Sequence, residues 1–424
     1  MTEIKSVIQN DLSEGYSLSK KGVSYSELIQ QLKEYFDEIP FKGENTFLNV
    51  PILVDPTQLK VFSRLSEVLN DVIKKIVLNY FNDKRIREIY QLDDELESIL
   101  RLAESRPYQV GMYRPDFIFD KSGQLKICEI GCRYPINGWM LSYYTRQILN
   151  KLLLINDNNN GTLYEETSFV SAISNDLDSS KKLFYVHDLE KGSEAHQFFD
   201  EIKKQGFLVK DISLKELEIT DGILTVNSEI ATQFILEMDR EELKTISQEI
   251  LYGLIDSEEC LNDVRTLILV HDKRILSVLY DEQIMLDYIE KEDYDFLKHF
   301  LIPSYTLDSE KIRNEVINSL SNWVLKKNSG GRGIGIYVKN DCTPETWNSV
   351  ISKEWKNYMV QEYVDQKIFD LEQDDKIESI NIVGILLFYN AQSFGPGIFR
   401  GSSQSVINVH NGGYILPSLI SNLQ

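Results

Sequence analysis

Apolar residues recur at three- and four-residue spacing through the first hundred positions: Tyr25, Leu28, Ile29, Leu32, Tyr35 and Phe36, then Leu65, Val68, Leu69, Val72, Ile73 and Ile76. One face of a helix carries such positions, so residues 1–104 read as an α-rich region. The texture changes at Tyr113-Arg114-Pro115-Asp116. Phe117-Ile118-Phe119, the polar Asp120-Lys121-Ser122-Gly123 and Leu125 to Ile130 read as strand, turn, strand. Polar stretches at 156–161 and 176–182 bracket a domain boundary, which ends a segment of 105–165. Beyond it, Leu183 to His187, a helical segment ended by Gly206, and Phe207 to Leu214 form one βαβ unit. A Rossmann-like subdomain over 166–260 follows from it. A hairpin over 217–226 turns on Asp221-Gly222, and helical patterns then run to about Leu301, with Val264 to Val270 as an apolar strand inside them. From Trp323 on, strands and glycine-bearing turns dominate, with a helix near 343–355, and 261–424 reads as the last unit. The class is α/β.

Composition narrows the functions. At roughly 150 residues per domain, 424 residues make two to three domains. Acidic residues outnumber basic ones 66 to 45, a formal charge of −21, so the broad electropositive footprint that a nucleic acid needs is missing. No apolar run approaches the ~20 residues of a membrane span, and the first residues lack the basic start and apolar stretch of a secretory signal. A cytoplasmic location is expected. Cys128, Cys132, Cys260 and Cys342 are too sparse for a disulfide framework and read as reduced structural thiols. The charge excess describes the average surface only, which leaves room for a local anion-binding pocket.

Two segments carry chemistry. The apolar Trp323-Val324-Leu325 ends in Lys326-Lys327, and Asn328-Ser329-Gly330-Gly331-Arg332-Gly333-Ile334-Gly335 follows at once. Glycines let backbone amides approach phosphate oxygens, and a neighbouring lysine adds point charge. In P-loop and dinucleotide-binding folds such glycines open a helix, whereas here Ile336-Tyr337-Val338 reads as a strand. Protein kinases place the lysine after the loop and need an HRD-type segment that this chain lacks. Downstream, Tyr358 to Val364 reads as an edge strand with polar Gln361 and Glu362 in it, able to pair backbone groups with adenine.

The second segment is the hairpin. Pairing through the 120–123 turn sets Asp116 opposite Ile127 to Glu129, so two carboxylates come within about 5 Å. At an effective dielectric of ~20 they repel by about 3 kcal/mol. A hard dication with oxygen ligands compensates directly, and Mg²⁺ carried by ATP phosphates commonly takes one or two protein carboxylates. Arg114 and Arg133 flank the pair.

These residues resemble the ATP-grasp carboxylate-amine ligases, in the circularly permuted arrangement of glutathionylspermidine synthetase, where the acidic hairpin comes early and the lysine with its glycine lid comes late. Arg114-Pro115-Asp116 and Glu129 are similar to the family's Arg-x-Asp and Glu pattern. His271-Asp272-Lys273-Arg274-Ile275-Leu276 resembles its first nucleotide lysine, and Val324-Leu325-Lys326 with the glycines its second. Gln361 and Glu362, with Val364 beyond, resemble the adenine hinge. Gly395 to Arg400 and Val406 to Gly413 resemble the closing substrate and phosphate segment. The resemblance covers about 105–424. The family usually places asparagine two residues after the metal glutamate, where this chain has Gly131, so that either Asn408, Asn137 or water completes the coordination or the metal site is weakened. A looser resemblance, through Arg114 to Phe117, Lys126 to Gly131, and Arg133 with Pro135 and Asn137-Gly138, is to the mycosporine-type amino acid ligases.

The resemblance implies activation of a carboxylate by the γ-phosphate of ATP, then attack by an amine with release of ADP and phosphate. It gives Lys273, Lys326, Gly330, Gly331, Arg332, Gly333, Gln361, Glu362 and Val364 to ATP. Asp116, Glu129 and Asn408 go to Mg²⁺, Arg114 and Arg400 to the carboxylate and its developing phosphate, and Arg133 and Asn137 to substrate. His271 and His410 lie in matched segments without an assigned role. The partners implied are a small carboxylate and a small, amino-acid-like amine, with a carrier-protein acceptor and a homodimer left open. Two other classes compete: an ATP-binding regulator without turnover, and a phosphotransferase acting on a hydroxyl.

Overall fold

The computed structural model describes residues 4–7, 11–19, 23–40, 46–156, 168–187, 191–257, 259–331, 333–373, 376–409 and 412–420. Its centre is a seven-stranded antiparallel sheet built on the long strand Lys376–Tyr389. On one side that strand pairs Gln392–Ser402, and on the other it pairs Phe369–Gln373 and then Met112–Phe119. Met112–Phe119 carries its hairpin partner Leu125–Gly131, while Ile4–Val7 and Tyr414–Leu416 close the two ends. The expected hairpin therefore forms, and its turn is locally encoded. Asp120 Oδ1 accepts the amides of Ser122 and Gln124, both at 2.9 Å, and Gly123 takes φ +86°.

Where alternating apolar strands cross, their rings interlock. Phe117 and Phe399, from the strands on either side of Lys376–Tyr389, meet edge to face with centroids 5.5 Å apart, directly over Gly384. A side chain there has no room, so the glycine is what lets three strands share one aromatic layer.

A second, parallel sheet runs Glu259–Cys260, Gln233–Glu237, Lys182–His187, Leu208–Ser213, and helix Ala195–Lys204 connects the last two strands. This is the Rossmann-like subdomain. The hairpin Leu217–Thr220 to Ile223–Val226 turns on Asp221 and Gly222, both at positive φ. A third sheet, order Ser304–Thr306, Tyr358–Glu362, Trp323–Lys327, Ile336–Val338, is wholly antiparallel and packs on its own apolar core of Leu307, Val316, Leu325, Trp347 and Ile351. Among the described residues no helix is long and apolar enough to cross a membrane.

The amino-terminal helices follow their spacing: Tyr25–Leu32, and the 22-residue Thr57–Leu78, which buries Phe62, Leu65, Leu69, Val72, Ile73 and Ile76. The same region also supplies strands that periodicity did not announce. Ile52–Val54 pairs in parallel with Ser418–Ile420 and antiparallel with Tyr16–Leu18. Two expectations are corrected. Thr266–Val270 is a π-helix rather than a strand: all five residues are buried, and a short, uniformly apolar run has no period by which to tell the two apart. Tyr358–Glu362 is not an edge strand, since it pairs on both sides, with Ser304–Thr306 and with Trp323–Lys327. The residues from 157 to 161 of the polar loop lie outside the described residues.

Gly384→Ala should lower stability by about 1–3 kcal/mol through overpacking against Phe117 and Phe399. A thermal or urea melt reads this directly, and an unchanged midpoint would remove the ring-over-glycine packing from the account.

Candidate active site

Asp116 and Glu129 stand directly opposite each other in the hairpin, and the next pair is Phe117 with Ile127, so Cys128 is an extra residue in a β-bulge. The bulge frees the Cys128 carbonyl, which accepts Lys326 Nζ at 2.7 Å. Arg400, on Gln392–Ser402, donates to Asp116. Lys273 Nζ lies 3.1 Å from Glu129 and donates to the Gly330 carbonyl at 2.8 Å, while its backbone amide donates to the Asn328 carbonyl at 2.9 Å. One acid pair thus gathers the central sheet, the turn after the π-helix and the glycine loop.

The electrostatics follow from this geometry. Burial raises the Asp116 carboxyl, Glu129 raises it further, and Arg400 opposes both without cancelling them. Burial would raise Glu129 as well, but Lys273 and Lys326 reverse it and hold it at about 2. Burial lowers Lys326. For Arg400 burial acts downward and the bond to Asp116 outweighs it, leaving the guanidinium held charged.

Two cavities meet at this cluster. The first is lined by the apolar Ile302, Val324, Ile336 and Val338, by Lys326 and Gly333, and by Gln361, Glu362 and Val364. The second lies over Arg114, Arg133, Asn137, His271 and Gly331. Asp116, Glu129, Arg400 and Asn408 line both. Of the residues assigned from sequence, Gln361 is held back from the first cavity's centre by its bond to Ser304 Oγ at 2.9 Å, and the Glu362 side chain is exposed. Inter-strand bonding there reaches the Tyr363 amide, which donates to Asn322, and Val364 follows. Space above Gly330 and Gly331 is open, whereas Gly333 fits close to the Val406 side chain. Arg332 and His410 lie outside the described residues.

Residues 65–269 match the family of the AnkG N-terminal domain. The ATP-grasp enzyme ankG of Aspergillus thermomutatus is 21% identical to this chain over 430 residues, covering 87% of the chain and 88% of that protein. A glutathione synthetase-like effector (GSS30) from Globodera pallida, solved in apo form, superposes with a TM-score of 0.56 at 9% identity, over 93% of this chain and 96% of that one. The fold is therefore glutathione synthetase-like, of the ATP-grasp kind.

ATP-grasp proteins generally use ATP and Mg²⁺, and the residues present fit both. Two carboxylates in register, with the Asn408 amide beside them, are the hard oxygen donors that Mg²⁺ takes. Lys326 and Lys273 are buried cations held largely by backbone carbonyls, which phosphate oxygens can replace. Among the described residues no group of three His, Cys, Asp or Glu is placed to bind a metal, so the protein's acidic share here is the pair. Gly131 has a physical reason in this site. A Cβ there would lie 3.4 Å from Arg114 Nη2, so a longer side chain would compete with the guanidinium for its place. Arg114 is in turn fixed by the carbonyls of Tyr134 and of Pro135, the latter at 3.2 Å.

The second cavity also contains residues that motif reading did not reach. These are Lys191, Gly192 and Ser193, which follow strand Lys182–His187; behind the lining residue Arg133, and 3.5 Å from it, Asp239 follows Gln233–Glu237. Both segments leave the carboxyl ends of neighbouring parallel strands from which the chain departs in opposite directions, the usual crevice of an open α/β sheet. Beneath them Glu237 is buried and accepts the Tyr185 hydroxyl and the Gly192 amide. Glu194 is also buried and accepts the amides of Gly138, at 2.6 Å, and Leu141, at 2.8 Å, at the start of helix Trp139–Asn156. The βαβ pattern alone could have pointed to the residues after its first strand.

Burial pushes Glu194 and Glu237 up to about 7, from an ordinary 4.5. A carboxyl with a raised folded-state value favours the fold below its unfolded value and loses that stabilisation as pH rises through the folded one. Stability should therefore fall between about pH 4.5 and 7, and Glu237→Gln should flatten the slope. Urea midpoints across this window measure it, and an unchanged slope in the variant would exclude Glu237 as a source.

Proposed function

We propose that this protein is an ATP-dependent, ADP-forming ligase that joins a carboxylate to an amine through an acyl phosphate, on a small amino-acid-like substrate. The observation that carries the reading is the pair of cavities sharing Asp116, Glu129, Arg400 and Asn408. A carboxylate is a poor electrophile until one oxygen becomes a good leaving group, and phosphoryl transfer is mostly positioning and charge neutralisation. Both are satisfied when the phosphate end of one ligand and the carboxylate of another meet at one charged wall.

In this reading the apolar first cavity takes the adenine, with the backbone near Val364 at its edge. Lys326 and Lys273 exchange their carbonyl partners for phosphate oxygens, under the amides of Gly330, Gly331 and Gly333. Asp116 and Glu129, with Asn408, would hold Mg²⁺, which would supply charge neutralisation at the phosphates. Arg114, with one side pinned by the Tyr134 and Pro135 carbonyls, presents the rest of its fork to the substrate carboxylate. Arg400 stabilises the phosphoryl group as it moves. Arg133, Asn137 and the Lys191 to Ser193 segment bound the amine side, at the Rossmann-like crevice. Each arginine makes charge-assisted hydrogen bonds worth ~1.5–3 kcal/mol, or about 10- to 100-fold in turnover.

Pooled carboxylates, with and without pooled amines, should give amine-dependent release of both ADP and phosphate, with product masses naming the substrates. ADP without phosphate would indicate a phosphotransferase instead, and neither product with tight ATP binding a regulator. Lys326→Ala and Asp116→Asn should each reduce turnover by at least about 100-fold with an unchanged circular dichroism spectrum. Full activity in either would remove that residue from the assignment.

A further inference from the structure

His271 is a buried titratable group that the ligase reading leaves unused. The residue lines the second cavity with Arg114, Glu129 and Gly131 and is 9% exposed. The Cys132 amide donates to His271 Nδ1 at 3.3 Å. An accepting Nδ1 has no proton, so the neutral ring carries its hydrogen on Nε2. Among the described residues Nε2 has no hydrogen-bond partner, although it is buried. Such a buried orphan is costly and calls for a partner supplied from elsewhere. Burial, with Lys273 adding to it and Glu129 and Asp239 opposing, lowers the imidazole to about 4. The ring is thus a neutral donor with its one lone pair already engaged, and general-base chemistry is closed to it.

We propose that His271 Nε2–H is a catalytic hydrogen-bond donor to the carbonyl oxygen of the carboxyl group being activated. The inference rests on the ligase reading for its chemistry, while the ring's tautomer stands independently of it. As the amine attacks, its lone pair forms the C–N bond and the carbonyl π pair moves onto the oxygen, where negative charge grows. That pair then returns as the C–O bond to the phosphoryl group breaks, and phosphate leaves with the bonding electrons and the amine's proton. His271 donates a hydrogen bond throughout and transfers no proton. Arg114 and Arg400 are engaged with the charged oxygens, so a neutral donor at the carbonyl completes the set without adding a third cation beside Lys273.

Two measurements test this. The chain has five histidines, few enough for two-bond ¹H–¹⁵N correlations of ¹⁵N-histidine-labelled protein to resolve each ring, with His271 assigned by its loss in His271→Asn. The expected pattern is a neutral ring protonated at Nε2 across about pH 6–8; an Nδ1–H ring, or protonation with a midpoint inside that range, overturns the proposal. The second measurement is kinetic. His271→Asn places an amide oxygen where Nδ1 accepts and removes the donor, whereas His271→Gln extends an amide nitrogen toward the Nε2 position. Asn should lower kcat by about 10²- to 10³-fold with KM for ATP and Tm unchanged, and Gln should recover to within about tenfold of wild type. Asn within about threefold of wild type, or Gln no better than Asn, overturns the assignment. Failure of the ligase reading looks different: wild type itself then releases no ADP and phosphate with any pool, and the catalytic role falls with it whatever the tautomer.

Discussion

Two partly buried carboxylates facing each other beside a β-bulge are the constraint on which the rest of this structure depends. Left alone, Asp116 and Glu129 would repel by an amount comparable to a sizeable fraction of a domain's net stability. The protein answers with cations drawn from three places: Arg400 from the central sheet, Lys273 from the turn after the π-helix, and Lys326 from the lid sheet. Each neutralising contact is also a structural tether, so bringing the acids together fixes how the lid sheet and the 271–274 turn sit on the central sheet. The same arrangement is incomplete as electrostatics. The lysines are shared with carbonyls, and Asp116 stays raised, which leaves the cluster ready to exchange partners when a polyanion and a dication arrive together.

The turn that carries Lys273 is itself over-determined. Asp272, fully buried, accepts Arg274 in a two-pronged bond at 2.9 and 2.6 Å and also pairs with Arg240 from the end of the parallel sheet. Tyr90, from the amino-terminal helices, caps the Leu269 carbonyl at 2.8 Å. Breaking such a buried charge group is costly because it leaves an unpaired ion in a low-dielectric interior. The residues flanking Lys273 are therefore spent on holding it still, and a preorganised cation is worth more to a charge-transfer reaction than a mobile one.

Much of this was legible in the chain. The hairpin, the β-loop-β glycine lid, the βαβ unit and the Asp-Gly turn are local, and each is encoded by residues that are neighbours in sequence. So was the clustering of Asp116, Glu129, Lys273, Lys326 and Arg400, although only as a resemblance, because nothing in their spacing brings 116 to 400. What escaped reading is non-local or aperiodic. The π-helix hides in five consecutive buried residues, the Tyr358–Glu362 strand gains its second neighbour from Ser304–Thr306, and Glu237 matters only because Gly192 folds over it. Gly131 looked like a defect until Arg114 was seen to occupy the adjacent space.

The long strand Lys376–Tyr389 has a consequence in time. The hairpin that bears both acids can form as soon as residue 131 has been made, yet its sheet neighbour and Arg400 arrive roughly 270 residues later, an interval of tens of seconds at ~5–20 residues per second of synthesis. Until then the hairpin keeps one unpaired side and Asp116 lacks its Arg400 partner, while Lys273 and Lys326 become available to Glu129 earlier. The pairing of Ile52–Val54 with Ser418–Ile420 delays completion further still. The acids themselves serve as a guard during this wait, since charge on an open strand discourages pairing with another chain. The carboxylates that draw three cations together in the folded protein are thus the same groups that keep the unfinished chain apart from its neighbours.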